Sequence, residues 1–151
     1  MGISAVTAEG HIRARELELK SILDGELAAI HLALTSFAKR AQRFEILTDP
    51  QKAVQYVQGR TRLKSEVGES LKKAMDELAT LGIEVSVSWV RGHNGHVLNS
   101  YADRAAVIAR RCAQFGTDNK AQLLKNLRAE LHSEIQGIEP QQWLLQQHVA
   151  A

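Results

Sequence analysis

Three acidic residues and a histidine stand at junctions between predicted secondary-structure elements: Glu26, Asp49, His93 and Asp103. Carboxylates and imidazoles bind cations and transfer protons, so these side chains could support acid–base or metal chemistry if the fold brought them together. Each also has an ordinary structural explanation. Glu26 suits the positive end of a helix dipole, Asp49 suits a helix cap, and Asp103 suits a solvated helix face. Only their joint order along the chain favours a functional interpretation.

The histidine and the last acid belong to a strand, a loop and a helix in succession. Residues 83–90 alternate between apolar and polar side chains, which predicts a strand with one face in a core. The apolar members are Ile83, Val85, Val87 and Trp89. Residues 91–96 form a glycine-containing loop with His93, and residues 97–111 have the apolar periodicity of a helix that carries Asp103. This succession presents a histidine and a carboxylate at one edge of a sheet.

The other two acids, Glu26 and Asp49, lie on elements that precede this strand, loop and helix in the chain. A helix begins at Ser21 or Asp24, which places Glu26 in its first turn. Asp49 directly follows a strand, and Pro50 is accepted at the first position of the next helix. The other predicted elements are strands at 3–8, 11–19 and 44–48, helices at 50–58, 65–81 and 119–136, and a short terminal segment at 143–149. We expect one domain over residues 1–112 and a helical extension over residues 113–151, whose apolar stripe packs on the domain or on another chain.

The composition is that of a soluble globular protein, with 44% hydrophobic and 24% charged residues. The net charge of +2 and the isoelectric point of about 8.8 allow a nucleic-acid partner without requiring one. A single cysteine, Cys112, and the lack of a long apolar run predict a cytoplasmic protein without a membrane span. His93 and His96 are too few ligands for zinc, and Cys112 lies too far along the helix to join them.

The chain resembles the type 1 ribonuclease H family. The matching stretches cover residues 25–30, 46–51 and 87–105, within a resemblance that extends over residues 3–112. The most specific of them is the last, residues 87–105, which contains His93 and Asp103. The resemblance implies an α/β fold with a five-stranded mixed sheet and helices on both faces. It also implies an endonuclease that hydrolyses the RNA strand of RNA–DNA hybrids.

The resemblance assigns the metal ligands and the proton-transfer group. It implies that Glu26, Asp49 and Asp103 bind two Mg²⁺ ions, which Mn²⁺ can replace, and that His93 transfers protons. Such carboxylates suit magnesium because this ion prefers hard oxygen ligands. Two divalent ions about 4 Å apart can activate water and stabilise the leaving oxygen of a phosphodiester. By the same resemblance, the substrate-binding residues are Ser21, Gln51, Arg91 and Asn99.

The chain departs from the family pattern at its beginning. The family has a further strand before the hairpin, which lies in the centre of the sheet and carries the first of four metal-binding acids. We therefore expect the central strand to be missing between the strand that begins at Ile3 and the strand that ends at Thr48, so that an upstream segment or a second chain would complete the sheet. Ile22 and Leu23 also replace two asparagines of the family. The alternative function is a non-catalytic nucleic-acid binding or assembly module on a decayed ribonuclease H scaffold.

Overall fold

The computed structural model describes residues 1–91, 96–136 and 149–150 of the 151-residue chain. These residues form an α/β fold in which helices cover a mixed sheet, as the resemblance implies. Within the described ranges, no helix combines the length and the apolar character that crossing a membrane requires. The elements in chain order are β1 (Gly2–Val6), β2 (Ile12–Glu16), α1 (Ile22–Phe37), β3 (Arg43–Thr48), α2 (Gln51–Val57), α3 (Glu66–Thr80), β4 (Glu84–Trp89), α4 (Val97–Phe115), α5 (Lys120–Gln136) and β5 (Val149–Ala150).

The sheet has the strand order β2-β1-β5-β3-β4 and contains two well-formed pairs at its sides. β1 and β2 form an antiparallel hairpin whose register runs from Gly2 opposite Glu16 to Val6 opposite Ile12. β3 and β4 are parallel, with Thr48 opposite Trp89 at the carboxyl end of both strands. The predicted hairpin and the two predicted later strands are therefore present.

β5 lies in the centre of the sheet, at the position where the sequence predicts the central strand to be missing. It pairs antiparallel with β1, where Ala150 is opposite Val6, and parallel with β3, where Val149 is opposite Ile46. β5 has two residues, whereas β1 has five and β3 has six. In the described part of the chain, it therefore accompanies a short part of each neighbour. Of the predicted terminal segment 143–149, all but Val149 lies outside the described residues.

The helices lie on the two faces of the sheet because the side chains of β1 alternate. Ala5 belongs to an apolar cluster with α1, α2 and α3, and Ile3 packs against α1. The intervening Ser4 donates a hydrogen bond to the carbonyl oxygen of Ala102 in α4, and Val6 packs with α4 and α5. This period-two alternation places α1 and α4 on opposite sides of the same strand.

α5 packs its apolar stripe on the domain, which is one of the two arrangements that the sequence predicts. Its buried residues Leu127 and Leu131 share a cluster with Val6 and Leu98. α4 continues to Phe115, one turn beyond the predicted end, and Gly116 ends it with a left-handed φ of 61°. The domain boundary after residue 112 stays a prediction.

Two serine caps fix the start of α1 and its position beside α3. The Ser21 side-chain oxygen accepts a hydrogen bond from the Asp24 N–H, so α1 begins at Ile22 and its first turn contains Asp24. Ser65 caps α3 in the same way through the Gly68 N–H. The Ser65 hydroxyl also donates to the Asp24 carboxylate, which links the starts of the two helices. Glu26 therefore lies one turn further along α1 than predicted.

Candidate functional site

The three predicted acidic residues line one cavity. Glu26 comes from α1, Asp49 from the residue after β3, and Asp103 from α4, and the cavity between them has a volume of about 180 Å³. Gly2 and Ser4 of β1 form another part of its wall. The cavity thus lies between β1 and the carboxyl end of β3. Residues that are far apart in the sequence meet here because three different elements end or pass at this edge of the sheet.

Asp49 is placed by the strand-to-helix junction and does not cap the helix that follows. The N-cap residue of α2 is Pro50, and no side chain makes a capping hydrogen bond there. The interpretation of Asp49 as a helix cap therefore lacks support. Asp49 is half-buried and lies directly after Thr48, the last residue of β3.

Glu26 lies in an environment that disfavours its charge. Partial burial raises the pKa of the Glu26 carboxyl above its usual value, and the negative charge of Asp49 raises that pKa further. The ammonium group of Lys52, the second residue of α2, acts in the opposite direction. The effect of Asp49 on Glu26 agrees with the position of both carboxyl groups at one cavity.

Asp24 is excluded from this site by its hydrogen bonds. The Ser65 and Ser21 side chains lower the pKa of the Asp24 carboxyl, and Lys20 lowers it further. Asp24 therefore remains ionised as part of the α1–α3 junction. It does not line the acidic cavity, although it stands only two residues before Glu26.

The structure separates the predicted substrate-binding residues into exposed and buried ones. Gln51 and Arg91 are exposed, the first at the start of α2 and the second after β4. Ser21 is exposed as well, although its side-chain oxygen caps α1. Asn99 has only 5% of its surface exposed, one turn before the exposed Asp103. Three of the four residues are therefore open to a ligand from solvent, and Asn99 is not.

The predicted proton-transfer residue lies outside the described residues, because the described ranges omit 92–95. Of the residues on either side, Arg91 follows the carboxyl end of β4, and His96 is the N-cap residue of α4. The role of His93 therefore stays a prediction.

The donor types fit magnesium, but the acids do not form a ready-made ligand cluster. Within residues 1–91, 96–136 and 149–150, no three histidine, cysteine, aspartate or glutamate side chains are arranged closely enough to hold a metal ion. The acids around the cavity nevertheless supply the oxygen ligands that Mg²⁺ prefers. Binding an ion with all three would therefore require their side chains to move towards one another.

Trp89 is a site residue that sequence reasoning missed. Its place in the alternating pattern of β4 predicts an inward side chain, but 45% of its surface is exposed. Its indole N–H donates a hydrogen bond to the main-chain carbonyl oxygen of Asp49, at 2.8 Å. The pairing of β3 with β4 is the signal that could have identified this contact, since it puts Trp89 opposite Thr48.

A comparison with protein-family models identifies the family. The model of the RNase H family matches residues 1–111. A comparison with curated proteins gave no match. Among solved structures, the chain is similar to the N-terminal RNase H domain of rv2228c from Mycobacterium tuberculosis, solved as a fusion with maltose binding protein. The identity is 21% and the TM-score is 0.49, over 71% of this chain and 76% of that chain. On the family match over residues 1–111, the chain belongs to the RNase H family.

Proposed function

We propose that the protein is a metal-dependent endonuclease that hydrolyses the RNA strand of RNA–DNA hybrids. The observation that carries this proposal is the meeting of Glu26, Asp49 and Asp103 at one cavity, in a chain of the RNase H family. Burial raises the pKa of the Glu26 carboxyl and the negative charge of Asp49 raises it further, and a bound cation would offset both effects.

In this proposal Glu26, Asp49 and Asp103 hold two Mg²⁺ ions, and Mn²⁺ can replace them. The bound ions would supply an activated water and stabilise the charge on the leaving oxygen. Exposed Lys52, whose charge acts on Glu26, and exposed Arg91, which follows β4, attract the phosphate backbone, whose binding is mainly electrostatic. His93 transfers the proton, because an unperturbed histidine changes its charge near neutral pH.

The first test is cleavage of a labelled RNA–DNA hybrid over a magnesium titration. Matched RNA–RNA and DNA–DNA duplexes of the same sequence serve as controls. We expect cleavage of the hybrid alone, with a rate that rises with magnesium and disappears on chelation. Hybrid cleavage that continues at full rate in excess chelator would contradict the metal-dependent part of the proposal.

A second candidate is a module that binds nucleic acid without cleaving it. The observation that favours it is that, in the described part of the chain, no three acids are close enough to form a metal site. This candidate predicts hybrid binding that weakens as salt is raised, because phosphate contacts release counterions, with no product at any magnesium concentration. Binding without cleavage in the same assay would select this candidate over the nuclease.

A further inference from the structure

The indole of Trp89 contacts the backbone of a site acid in an unusual way. It donates to the carbonyl oxygen of Asp49 across the end of the β3–β4 pair. The last ladder hydrogen bond there runs from the Val90 N–H to the Thr48 carbonyl. The carbonyl of Pro50 accepts the N–H of Val54 in α2. The Asp49 carbonyl therefore lies between the end of the ladder and the start of the helix, and the indole supplies a hydrogen bond to it.

The peptide unit between Asp49 and Pro50 has only one group that can form a hydrogen bond. Proline has no N–H, so the carbonyl oxygen of Asp49 is the sole hydrogen-bonding group of this unit. The orientation of this carbonyl follows the ψ angle of Asp49, because rotation about the Cα–C bond turns the peptide plane relative to the side chain. A donor fixed on β4 therefore restrains this ψ angle, and with it the direction in which the Cα–Cβ bond of Asp49 leaves the backbone.

We propose that Trp89 is a positioning residue that holds the Asp49 backbone so that its carboxylate points into the acidic cavity. The inference rests on the proposed function, because it assigns Trp89 a purpose in the same site. Its partial exposure fits this role: core packing would bury the ring, whereas Trp89 keeps 45% of its surface exposed. The six-residue parallel pairing of β3 with β4 provides the rigid support from which the indole acts.

The test compares metal binding in three chains by titration calorimetry with MgCl₂ and MnCl₂. Trp89→Phe keeps an aromatic ring and removes the N–H donor. Trp143→Phe makes the same chemical change at the other tryptophan and serves as the control. Groups that orient metal ligands typically change metal affinity by about 10–100-fold when they are removed. We expect Trp89→Phe to weaken metal binding by about tenfold or more, and Trp143→Phe to bind like the parent.

Steady-state cleavage separates positioning from stacking on a nucleic-acid base. Positioning predicts a lower kcat and a higher magnesium requirement in Trp89→Phe, with the KM for the hybrid unchanged. A raised KM with unchanged metal affinity would overturn positioning and indicate direct contact with the substrate. Equal metal affinities in parent and Trp89→Phe would overturn this inference alone. A parent that neither binds metal nor cleaves hybrid would overturn the proposed function as well.

A measurement on the unaltered protein keeps the inference testable if Trp89→Phe fails to fold. The chain has two indole N–H groups, those of Trp89 and Trp143, and NMR resolves their hydrogen exchange. Trp143→Phe removes one signal and so assigns the other. We expect the Trp89 indole hydrogen to exchange more slowly than that of an exposed tryptophan, because it is donated to Asp49. Exchange as fast as that of a free indole would overturn the inference.

Discussion

The sides of the sheet and its centre are built differently. At the sides, β1 with β2 and β3 with β4 pair along their full lengths of five and six residues. In the centre, the two-residue β5 meets β1 only at Val6 and meets β3 only at Ile46 and Leu47. Among the described residues, backbone pairing therefore extends further at the sides than in the centre.

The acidic cavity lies at this centre, between β1 and the end of β3. Its walls include Gly2 and Ser4 of β1 on one side and Thr48 and Asp49 on the other. Binding sites often belong to the less stable parts of a fold, because their residues must adjust to a ligand. In the proposed function, the paired sides of the sheet stabilise the fold, and the centre holds the acids that bind metal.

The largest effect on stability should come from the interior of the parallel pair. Ile46 of β3 is fully buried in the cluster formed with α1, α2 and α3. Ile46→Ala should lower the free energy of unfolding by about 2–5 kcal/mol, because it removes buried surface and leaves a cavity. Denaturant unfolding measures this loss. The control is Leu81→Ala, at a 65% exposed position, which should change the free energy by less than about 0.5 kcal/mol.

The next effect concerns the loop that follows the parallel pair. His93→Ala should lower the cleavage rate by about 10² while leaving the magnesium dependence unchanged, since the ions are assigned to the three acids. His96→Ala, three residues later, should lose much less activity. Equal losses in both variants, or a large shift in the magnesium requirement, would instead indicate a pair of metal-binding histidines.

A smaller effect should follow from removing β5. A chain that ends at residue 148 should lose about 1–2 kcal/mol of unfolding free energy, because a few backbone hydrogen bonds contribute about 0.5–1.5 kcal/mol each at most. The same denaturant titration measures it. A loss as large as that of Ile46→Ala would mean that the centre supports the fold as strongly as the sides, and the comparison would fail.

The smallest effect should be the pH-dependent contribution of Glu26. Because its pKa is raised in the fold, the protonated form is favoured, and that stability is lost as the pH rises through the raised pKa. Glu26→Gln cannot ionise, so it should be more stable than the parent at pH 7. The difference should shrink below about pH 4, where the unfolded carboxyl is also protonated. A difference that is the same at both pH values would show that Glu26 is not under electrostatic strain.

Local patterns in the sequence predict the elements of this fold well, because each signal lies within its own element. The alternation in residues 83–90 and the apolar spacing in residues 65–81 correspond to β4 and α3. The family resemblance implies that Glu26, Asp49 and Asp103 share one site, and the structure brings them to one cavity.

Features that depend on distant contacts could not be predicted in this way. Alternation indicates which residues of β4 share a face, but not that Trp89 at the end of the strand is 45% exposed and hydrogen-bonded to the Asp49 carbonyl. A two-residue strand such as β5 is too short to show periodicity. Its partners Val6 and Ile46 are also far from it in the sequence. The sequence left the start of α1 open because both Ser21 and Asp24 are good cap residues. The hydrogen bond from the Asp24 N–H to the Ser21 side-chain oxygen identifies Ser21 as the cap.

The most direct test of the central claim is single-turnover cleavage of an RNA–DNA hybrid by Glu26→Gln, Asp49→Asn and Asp103→Asn over a range of magnesium concentrations. Asp76→Asn, on the exposed surface of α3 and away from the cavity, is the matched control. We expect the three cavity variants to stay folded and lose at least about 100-fold in rate, because removing one of several close carboxylates relieves repulsion while removing a ligand. The control should cleave like the parent. Parental rates in all three cavity variants, or unfolding of Asp49→Asn, would contradict the assignment of these acids to catalysis.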